Sequence, residues 1–489
     1  ILMPRAVRAA SHLKAAFSRP ATARLAPRSS RPAVRALLVA FALLAAAPIA
    51  LGQRAPTLRG GSWWERTDPG PRGSLPRSRF YTIRSDLPAE DTRRYANLLD
   101  TMYLEYTRLM KGLRPRGSAH LDVFMFATEQ DYLDTLRTRF GASGTGSGGM
   151  FFVGPKGAGL AFFTQGLPSA RVEHVIRHEG FHQIANIFFD HDLPPWANEG
   201  LAEYFGESVV VNGTVIEGQM TESTLAKVKS LIEQGRIVPF EDLLSRDLRA
   251  WNGAVSRGTA DAQYAQSASM VHFLLWGEGG RLSDRFSAYL RNLNEGRDPV
   301  SSFRMAFGGT DDRALADFER RWREFVKQQS PGSVRAAMDR LTFLSEGLLR
   351  LRDRNVHPSS LEELKSALKK EGFTLAMGSH AGPVTLRAED ESLYSIPPDQ
   401  IQDRRRAPEI EFVWKGPKPP RRATAKDDER DGGGSGAGGT EERSSDAAEK
   451  PAKPPPLPEL STRNLRPRNL KVSWKQGADG GWSAEVGLE

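Results

Sequence analysis

Cysteine is absent from the 489 residues of this chain. The absence excludes disulfide bonds, and it also excludes anchoring to a membrane through a lipid-modified cysteine. The folded part of the chain must therefore obtain its stability from non-covalent interactions.

Apolar runs long enough to cross a membrane are also missing. The run ALLVAFALLAAAPIAL at 36–51 has sixteen residues, whereas a membrane span needs ~20. Residues 1–52 contain eight Lys and Arg but no acidic residue, and the run ends in the small-x-small sequence Ala50-Leu51-Gly52. This pattern predicts a secretory signal peptide at 1–52, since an organellar transit peptide would not contain an unbroken apolar core. We therefore expect a periplasmic or extracellular protein, or a membrane-anchored one if the segment is not cleaved.

Net charge is nearly absent outside this leader. The whole chain carries 68 basic and 59 acidic residues, which gives a net charge of +9. Eight of the basic residues lie in 1–52, so that 60 remain against 59 acidic residues in the rest of the chain. The high pI therefore does not indicate binding to nucleic acid or to an anionic surface. We expect no nucleic-acid partner, and membrane contact only transiently through the signal segment.

The most informative motif is His178-Glu179-Gly180-Phe181-His182, inside an otherwise apolar segment. On a helix with ~3.6 residues per turn, His178 and His182 lie on one face, where both imidazoles can bind one metal ion. Glu179 lies one position further round, where its carboxylate can act as general base for a water whose pKa the metal lowers. An ordinary amphipathic helix with solvated charges is the alternative interpretation.

A third ligand is predicted in the downstream sequence PPWANEG at 194–200. A zinc site with two histidines needs a third protein ligand and one open position, and Glu199 is the candidate. It lies on a second short helix that the two prolines introduce. Glu203 follows four residues later on the same face and is predicted to accept the free ring N–H of a ligand histidine. Alone, Glu199 would also suit a helix start, where the dipole favours a carboxylate.

The other histidines nearby are assigned different roles. His174 precedes His178 by one turn, but three histidines in a row on one helix cannot all converge on one ion. His174 is therefore predicted either to lie behind the ligands or to face solvent, and His191 is predicted to lie in a loop. A third histidine in the position typical of metzincins would be at 188, which is Phe188. That class is excluded.

The two motifs together resemble the gluzincin metallopeptidases, whose zinc is held by two histidines and a downstream glutamate. More narrowly, PWANEGLAEYF at 195–205 is similar to the bacterial peptidase-MA-like proteins of the DUF1570 group, as are FYTIRSDLP at 80–88 and YAQS at 264–267. The resemblance extends over roughly residues 78–330. It implies that zinc is bound by His178, His182 and Glu199 and that Glu179 is the base.

The resemblance also implies an oxyanion-stabilising residue from the helical half, which in gluzincins is often a tyrosine or histidine. Tyr264 is the first candidate, with a role as a core tyrosine as the alternative, and His272 is the second. No Gly-x-Met-x-Asn-type motif for anchoring a terminal amine precedes the metal helix. The choice between endopeptidase and aminopeptidase therefore stays open.

The order of predicted elements indicates an α+β fold, and the resemblance implies a zincin-like catalytic domain with a mixed sheet, the HExxH helix and a helical C-terminal half. A hairpin predicted at 150–163 precedes the metal helix. In zinc peptidases such strands form the sheet edge that pairs with an extended peptide, and an unused edge is the alternative. Up to residue 330, the other predicted elements are strands at 80–84 and 121–127, an Asn-Gly hairpin at 209–216, and helices at 90–110, 129–140, 225–234, 260–276, 281–292 and 311–328.

Composition predicts the domain boundaries. A flexible connector at 53–78 precedes the gluzincin-like peptidase domain at 79–330. A small separate α+β module follows, with an accessory part at 333–415 and a β-hairpin at 469–489. The Pro-, Gly- and charge-rich segment 416–468 between them is predicted to be disordered. This C-terminal unit contains no catalytic constellation.

These observations predict an exported zinc metallopeptidase that acts on a peptide or protein substrate with Zn²⁺ as cofactor. A non-catalytic envelope or surface binding protein that retains the fold is the alternative, and the intact Glu179 argues against it. A hydrolase of non-peptide amides would share every site residue. The sequence leaves the substrate, the oligomeric state and the role of the C-terminal module open.

Overall fold

The fold is α+β, as the element order predicts. The computed structural model describes residues 78–489 apart from 116–120, 155–156, 168, 257–259, 309–311, 380–381, 400–404, 417–455 and 478–479. The predicted signal peptide and all but the last residue of the predicted connector lie outside the described residues. Among the described residues, no helix combines the length and apolarity that a bilayer crossing requires.

The first half of the fold is built on a four-stranded mixed sheet with the order β1-β2-β4-β3. Its central strands pair in parallel, and β3 pairs antiparallel with β4 at the edge, which confirms the predicted hairpin. Parallel pairing of β1 and β2 requires a crossover, and α1 provides it. The elements are β1 Tyr81–Ser85, α1 Ala89–Leu109, β2 Leu121–Phe126, α2 Glu129–Thr135, β3 Gly149–Gly154 and β4 Gly157–Phe163; a π-helical turn, Leu136–Phe140, extends α2.

Two helices and a small hairpin follow the sheet. They are α3 Ser169–Phe188, α4 Pro195–Gly206, β5 Val209–Val211 and β6 Thr214–Ile216. The hairpin has positive φ angles at both turn residues, 49° at Asn212 and 72° at Gly213. These angles fit the two-residue turn that an Asn-Gly pair favours, so the predicted hairpin is confirmed.

The part of the chain from 222 to 328 is helical. Its helices are α5 Glu222–Glu233, α6 Phe240–Ser245, α7 Leu248–Ser256, α8 Ala260–Trp276, α9 Ser283–Asn294, α10 Pro299–Phe307 and α11 Asp312–Gln328. The predicted helices are present, and α6, α7 and α10 are additional. These three have six to nine residues, too few turns for an apolar period to stand out in the sequence. Apolar residues of α1, the sheet, α3, α4 and this helical half form one continuous core.

The C-terminal unit contains two helices and a second sheet, with the order β12-β11-β10-β9. Its elements are α12 Ser333–Asp353, α13 Leu361–Lys370, β7 Thr374–Ser379, β8 Gly382–Arg387, β9 Glu409–Val413, β10 Glu459–Arg463, β11 Leu470–Gln476 and β12 Trp482–Leu488. The predicted C-terminal hairpin is confirmed as β11 and β12. The hairpin formed by β7 and β8 was not predicted.

The prediction that 416–468 is disordered is wrong for the end of that segment. Strand β10 lies within it and pairs antiparallel with β9 over five positions. Only Leu460 and Thr462 of β10 are fully buried, so the strand presents too few apolar residues to stand out from its proline-rich surroundings. Residues 417–455 lie outside the described residues.

The C-terminal unit contacts the chain just after α4. Side chains of the β5–β6 hairpin, among them Val209, Val211 and Ile216, belong to the apolar cluster of the C-terminal unit. In addition, the Gln219 side-chain oxygen accepts the backbone N–H of Val334 at 3.1 Å. The segment that follows α4 is therefore also part of the C-terminal core.

Candidate metal centre

Helix α3 carries the first two candidate ligands into the core. From Val172 onward nearly all of its side chains are buried, including His178, Glu179 and His182, which are at most 4% exposed. Buried imidazoles and carboxylates need polar partners, because an unpaired polar group in the core is costly. The helix therefore cannot be the solvated amphipathic helix that was the alternative interpretation.

Helix α4 carries the third candidate ligand, Glu199, which is 2% exposed. The helix begins at Pro195, as the Pro-Pro pair predicts. Trp196 fixes its first turn by stacking on Tyr289, with 5.8 Å between ring centroids. Gly200 allows close contact with α8, because a Cβ at this position would lie 2.7 Å from the Ser267 carbonyl oxygen.

The three candidate ligand atoms form a nearly equilateral triangle. The Nε2 atoms of His178 and His182 are 3.2 Å apart. Glu199 Oε2 lies 3.4 Å from His178 Nε2 and 3.5 Å from His182 Nε2. The structure thus brings together all three residues that the sequence singled out as ligands.

This triangle fits a zinc ion. With Zn–N distances of about 2.0–2.1 Å and tetrahedral angles, neighbouring ligand atoms are about 3.3 Å apart. The donor set of two imidazoles and one carboxylate is also typical of zinc sites that keep an open position. Moreover, Glu199 Oε2 is buried without a hydrogen bond in the described structure, although two imidazole nitrogens face it. A cation between the three atoms would satisfy it.

Each candidate ligand histidine has a polar partner at Nδ1, the ring nitrogen that faces away from the ligand triangle. His182 Nδ1 lies 3.2 Å from Asn198 Oδ1, and His178 Nδ1 lies 3.4 Å from Glu203 Oε1. In a neutral ring whose proton is held on Nδ1 by such an acceptor, Nε2 is unprotonated and can bind a metal. Glu203 therefore lies where its predicted role requires. The role of Asn198 was missed, although its position next to Glu199 was a signal.

His174 lies behind Glu203. Its Nε2 is 3.7 Å from Glu203 Oε2, and its ring packs against Gly206, where a Cβ would lie 2.6 Å from its Cε1. Since His174 is 3% exposed, the solvent-facing alternative for this residue is wrong. The pair His174 and Glu203, with His178 Nδ1, forms a second buried group of possible ligand atoms next to the first.

The candidate base contacts the edge strand of the first sheet. Glu179 Oε2 accepts the backbone N–H of Phe151 on β3 at 2.8 Å. Glu179 and His178 also line a cavity of about 10 Å³, which is room for about one water molecule. The edge strand, the base and the candidate ligands thus meet at one place.

Tyr264 lies near the cluster, and His272 has different surroundings. Burial, and then the carboxylate of Glu199, raise the pKa of Tyr264 well above its usual value, so its hydroxyl stays protonated. That hydroxyl also accepts the Trp251 indole N–H at 3.4 Å. His272 Nε2 lies 3.2 Å from the Gly218 carbonyl oxygen, and its ring packs against Phe325. His191 is exposed in the loop between α3 and α4, as predicted.

The cluster contains charges of opposite sign that stabilise each other. Burial alone would keep Glu199 and His178 neutral, but their mutual contacts outweigh it. The pKa of the Glu199 carboxyl is lowered, and the pKa of the His178 imidazole is raised by Glu199 and then Glu203. Burial raises the pKa of Glu179 above its usual value, although the two imidazoles and the Phe151 N–H oppose the shift. A base with a raised pKa is better matched to neutral pH than an ordinary glutamate.

Two buried residues hold α3 in place. The Tyr106 hydroxyl of α1 donates to the Arg177 carbonyl at 2.6 Å. The Arg177 guanidinium donates through Nε and Nη2 to the carbonyl of Gly206, at 3.1 and 3.0 Å, and so connects α3 to the end of α4. The relative position of the two ligand-bearing helices is thus fixed by hydrogen bonds as well as by apolar packing.

Fold and site together define an α+β protein with a buried His-His-Glu cluster on two adjoining helices. Residues 173–300 match the family described as "Protein of unknown function (DUF1570)". The match supports the DUF1570 resemblance inferred from the sequence, and the matched segment includes most of α3, all of α4 and Tyr264. No curated protein matches the chain.

Proposed function

We propose that this protein is an exported zinc-dependent metallopeptidase of the gluzincin type. The observation that carries the proposal is the triangle of His178 Nε2, His182 Nε2 and Glu199 Oε2, in which both histidines are oriented through Nδ1. The resemblance of both sequence motifs to gluzincins supports it. Export is proposed from the composition of 1–52.

In this proposal His178, His182 and Glu199 hold the zinc ion. Bound zinc supplies Lewis acidity, which acidifies water and polarises a carbonyl group. Glu179 accepts the proton of the attacking water and passes it to the leaving amine. The Tyr264 hydroxyl, which stays protonated, is the candidate donor to the oxyanion.

Glu179 has to change partner before it can act. In the described structure its Oε2 accepts the Phe151 N–H, and the adjoining cavity has room for about one water. Because β3 is an edge strand, the base and the outer backbone groups of the sheet face the same space. Substrate binding must therefore widen the gap between β3 and α3.

The small cavity favours a second candidate, a zinc-binding protein of the cell envelope or surface without catalytic activity. Such a protein would keep the His-His-Glu cluster, and it would bind partners through the C-terminal unit. The two candidates share the metal and differ in hydrolysis, so one set of variants separates them.

The test uses residues 53–489 of wild type, Glu199→Ala and Glu179→Gln. We expect about one zinc per chain in wild type by elemental analysis, and loss of stoichiometric zinc in Glu199→Ala. Glu179→Gln should keep its zinc and its fold, but its peptide hydrolysis should fall by ~10² or more, because an amide cannot accept the proton. Undiminished hydrolysis by Glu179→Gln would refute the mechanism. If zinc-loaded wild type cleaves no peptide, the binding protein is the better interpretation.

A further inference from the structure

Two acidic side chains meet where α1 contacts the β5–β6 hairpin. Glu105 lies on α1, and Glu217 directly follows β6. Their carboxyl groups are within hydrogen-bond distance of each other. Both also accept from Arg108 of α1, whose Nε lies 2.6 Å from Glu105 Oε1 and whose Nη2 lies 2.8 Å from Glu217 Oε2. Two carboxyl groups can hydrogen-bond to each other only if one of them carries a proton, so this contact requires one shared proton.

The charges of this group do not balance when both acids are ionised. The side chains of Glu105 and Glu217 are 20% and 16% exposed, whereas that of Arg108 is 64% exposed. One solvated cation then faces two largely buried anions, which leaves a net negative charge with little access to water. A proton on one carboxyl group removes this charge, so the protonated pair is favoured. Accordingly, burial and then the Glu105 carboxyl raise the pKa of Glu217 to about 7, although Arg108 opposes the shift.

The other titratable groups described around Glu217 keep their charge state near neutral pH. Tyr204 of α4 donates its hydroxyl to Glu217 Oε2 at 3.3 Å, and burial raises the pKa of Tyr204 well above its usual value. His272 of α8 contacts the carbonyl of the next residue, Gly218, and burial lowers the pKa of His272 to about 4. Arg466 lines the adjoining cavity, and an arginine stays charged at neutral pH. A change near pH 7 at this place is therefore expected from the acid pair.

The surroundings of the pair leave room for a released side chain. A cavity of about 510 Å³ opens beside it, lined by residues of α1, β6, α8 and the C-terminal loop at 466–467. When both carboxyl groups are ionised, their repulsion favours movement of Glu217 into this cavity, where water can hydrate the carboxylate. Glu217 then leaves Arg108 and Tyr204, so the end of β6 loses these side-chain hydrogen bonds to α1 and α4.

We propose that Glu105 and Glu217 form a pH switch. Below neutral pH the two carboxyl groups share one proton and connect the hairpin to α1, whereas loss of this proton above neutral pH releases Glu217 and loosens the hairpin. Because Val209, Val211 and Ile216 of the same hairpin pack in the C-terminal core, the release also loosens the connection between α4 and the C-terminal unit. The proposal depends neither on zinc nor on peptidase activity.

The direction of the pH dependence follows from the shared proton. The closed hairpin binds this proton more tightly than the open or unfolded chain, in which a glutamate has a pKa of ~4.3. The contribution of the pair to the stability of the hairpin is therefore fully present below pH ~4, and it is lost as the pH rises through about 7. The difference between the two pKa values corresponds to a loss on the order of 10²-fold in the equilibrium constant for closing the hairpin.

Hydrogen exchange of the hairpin tests the switch. Exchange of the full chain with saturating zinc is followed by mass spectrometry from pH 5.5 to 8.5, and each rate is divided by the intrinsic rate at that pH. We expect the protection of 209–217 to fall by ~10- to 100-fold between pH 6 and 8 in wild type. It should stay constant in Glu217→Gln, whose amide oxygen can still accept from Arg108 but does not titrate. Constant protection in wild type would overturn the proposal.

Variants of the two neighbours assign the fall in protection to the acid pair. Glu105→Gln removes the like-charged partner, so the fall should move to lower pH, whereas Arg108→Gln removes the cation and should move it to higher pH. The matched control is Glu233→Gln, at an exposed position of α5, which should follow wild type. A fall that persists in Glu217→Gln, or that stays at the wild-type pH in both Glu105→Gln and Arg108→Gln, would show that another group titrates and would overturn the switch.

A repeat of the measurement with a chelator separates the switch from the candidate metal centre. We expect the same fall in protection over the same pH range, because neither acid is a candidate zinc ligand. A fall that occurs only with zinc would assign the pH dependence to the metal centre and overturn the switch.

Discussion

At the residue scale, the candidate metal centre depends on the atoms behind the ligands as much as on the ligands. His178 and His182 direct Nε2 at Glu199 because Glu203 and Asn198 hold the opposite nitrogens. Each of these partners comes from α4, which also supplies the third ligand. One helix therefore positions the ligands of the other.

Removal of one of these partners should weaken metal binding without destroying the site. We expect Asn198→Ala to lower zinc affinity by ~10- to 100-fold, because His182 can then rotate or change tautomer. Competition with a chromophoric chelator measures the change, and Asn97→Ala, at an exposed position of α1, is the control. Unchanged affinity in Asn198→Ala would contradict the orienting role.

A second prediction at this scale concerns pH. Burial lowers the pKa of His272 to about 4, although its contact with the Gly218 carbonyl opposes the shift. The unfolded chain, in which the histidine pKa is ~6.5, binds more protons between pH 4 and 6.5. The contribution of His272 to the free energy of unfolding is therefore fully present above pH 6.5. It is lost as the pH falls from 6.5 to 4, and the total loss is about 3 kcal/mol.

Chemical denaturation of wild type and His272→Gln from pH 4 to 7 measures this effect. The variant can still donate to Gly218 but does not titrate, so its stability should fall less steeply over this range. His191→Gln changes an exposed histidine and should follow the wild-type curve. Parallel curves for wild type and His272→Gln would show that this histidine does not contribute to acid sensitivity.

At the element scale, the placement of α4 decides whether the ligands meet. Glycines on this helix allow close approaches on two sides, Gly200 to α8 and Gly206 to the His174 ring. Arg177 connects the end of α4 to α3 through the Gly206 carbonyl. In the NEG sequence at 198–200, Asn198 contacts a candidate ligand histidine, Glu199 is itself a candidate ligand, and Gly200 packs against α8.

Gly200→Ala tests this placement. Helix propensity alone favours alanine by about 1 kcal/mol, but the new Cβ would lie 2.7 Å from a backbone oxygen of α8, which cannot move as a side chain can. We expect the clash to exceed the propensity gain, with a net loss of about 1–3 kcal/mol in the free energy of unfolding and weaker zinc binding. Thermal unfolding and chelator competition measure the two effects.

The control for this prediction is Gly308→Ala, at the end of α10. The atom nearest to its Cβ would be the Ala314 carbonyl oxygen, 3.3 Å away. Its zinc affinity should remain that of wild type. A Gly200→Ala protein as stable as wild type would show that α4 can move away from α8 at little cost.

At the scale of the whole molecule, the unit that contains the His-His-Glu cluster and the C-terminal unit share a structural element. The β5–β6 hairpin leaves the end of α4 and packs into the C-terminal core through Val209, Val211 and Ile216. Each is at most 5% exposed. Removal of the C-terminal unit should therefore expose an apolar surface beside α4.

Truncation after residue 330 measures this connection. Burial of an aliphatic side chain contributes about 1.5–3 kcal/mol, so the loss of three burial sites should destabilise the hairpin and lower the thermal midpoint of the fragment. We expect the fragment to aggregate more readily than the full chain, and the substitutions Val209→Thr, Val211→Thr and Ile216→Thr to reduce this aggregation. The same substitutions should destabilise the full chain. A fragment with the wild-type midpoint would indicate independent units.

The sequence by itself determined the parts that depend on local spacing. An i, i+4 pair of histidines faces one side of a helix, a Pro-Pro pair starts a helix, and an Asn-Gly pair makes a tight hairpin turn. The sequence alone therefore indicates His178, His182 and Glu199 as one cluster. Elements with a long apolar period, such as α8, could also be predicted, whereas short α6 and α7 could not.

Only the tertiary structure decided which distant residues complete the site. The contact of Glu179 with Phe151 and the role of Asn198 behind His182 depend on how the edge strand and α4 pack on α3. Likewise β10 pairs with β9 across residues 414–458, although its own sequence has little apolar character. Such contacts arise from packing between segments far apart in the chain, which side-chain periodicity within one segment does not encode.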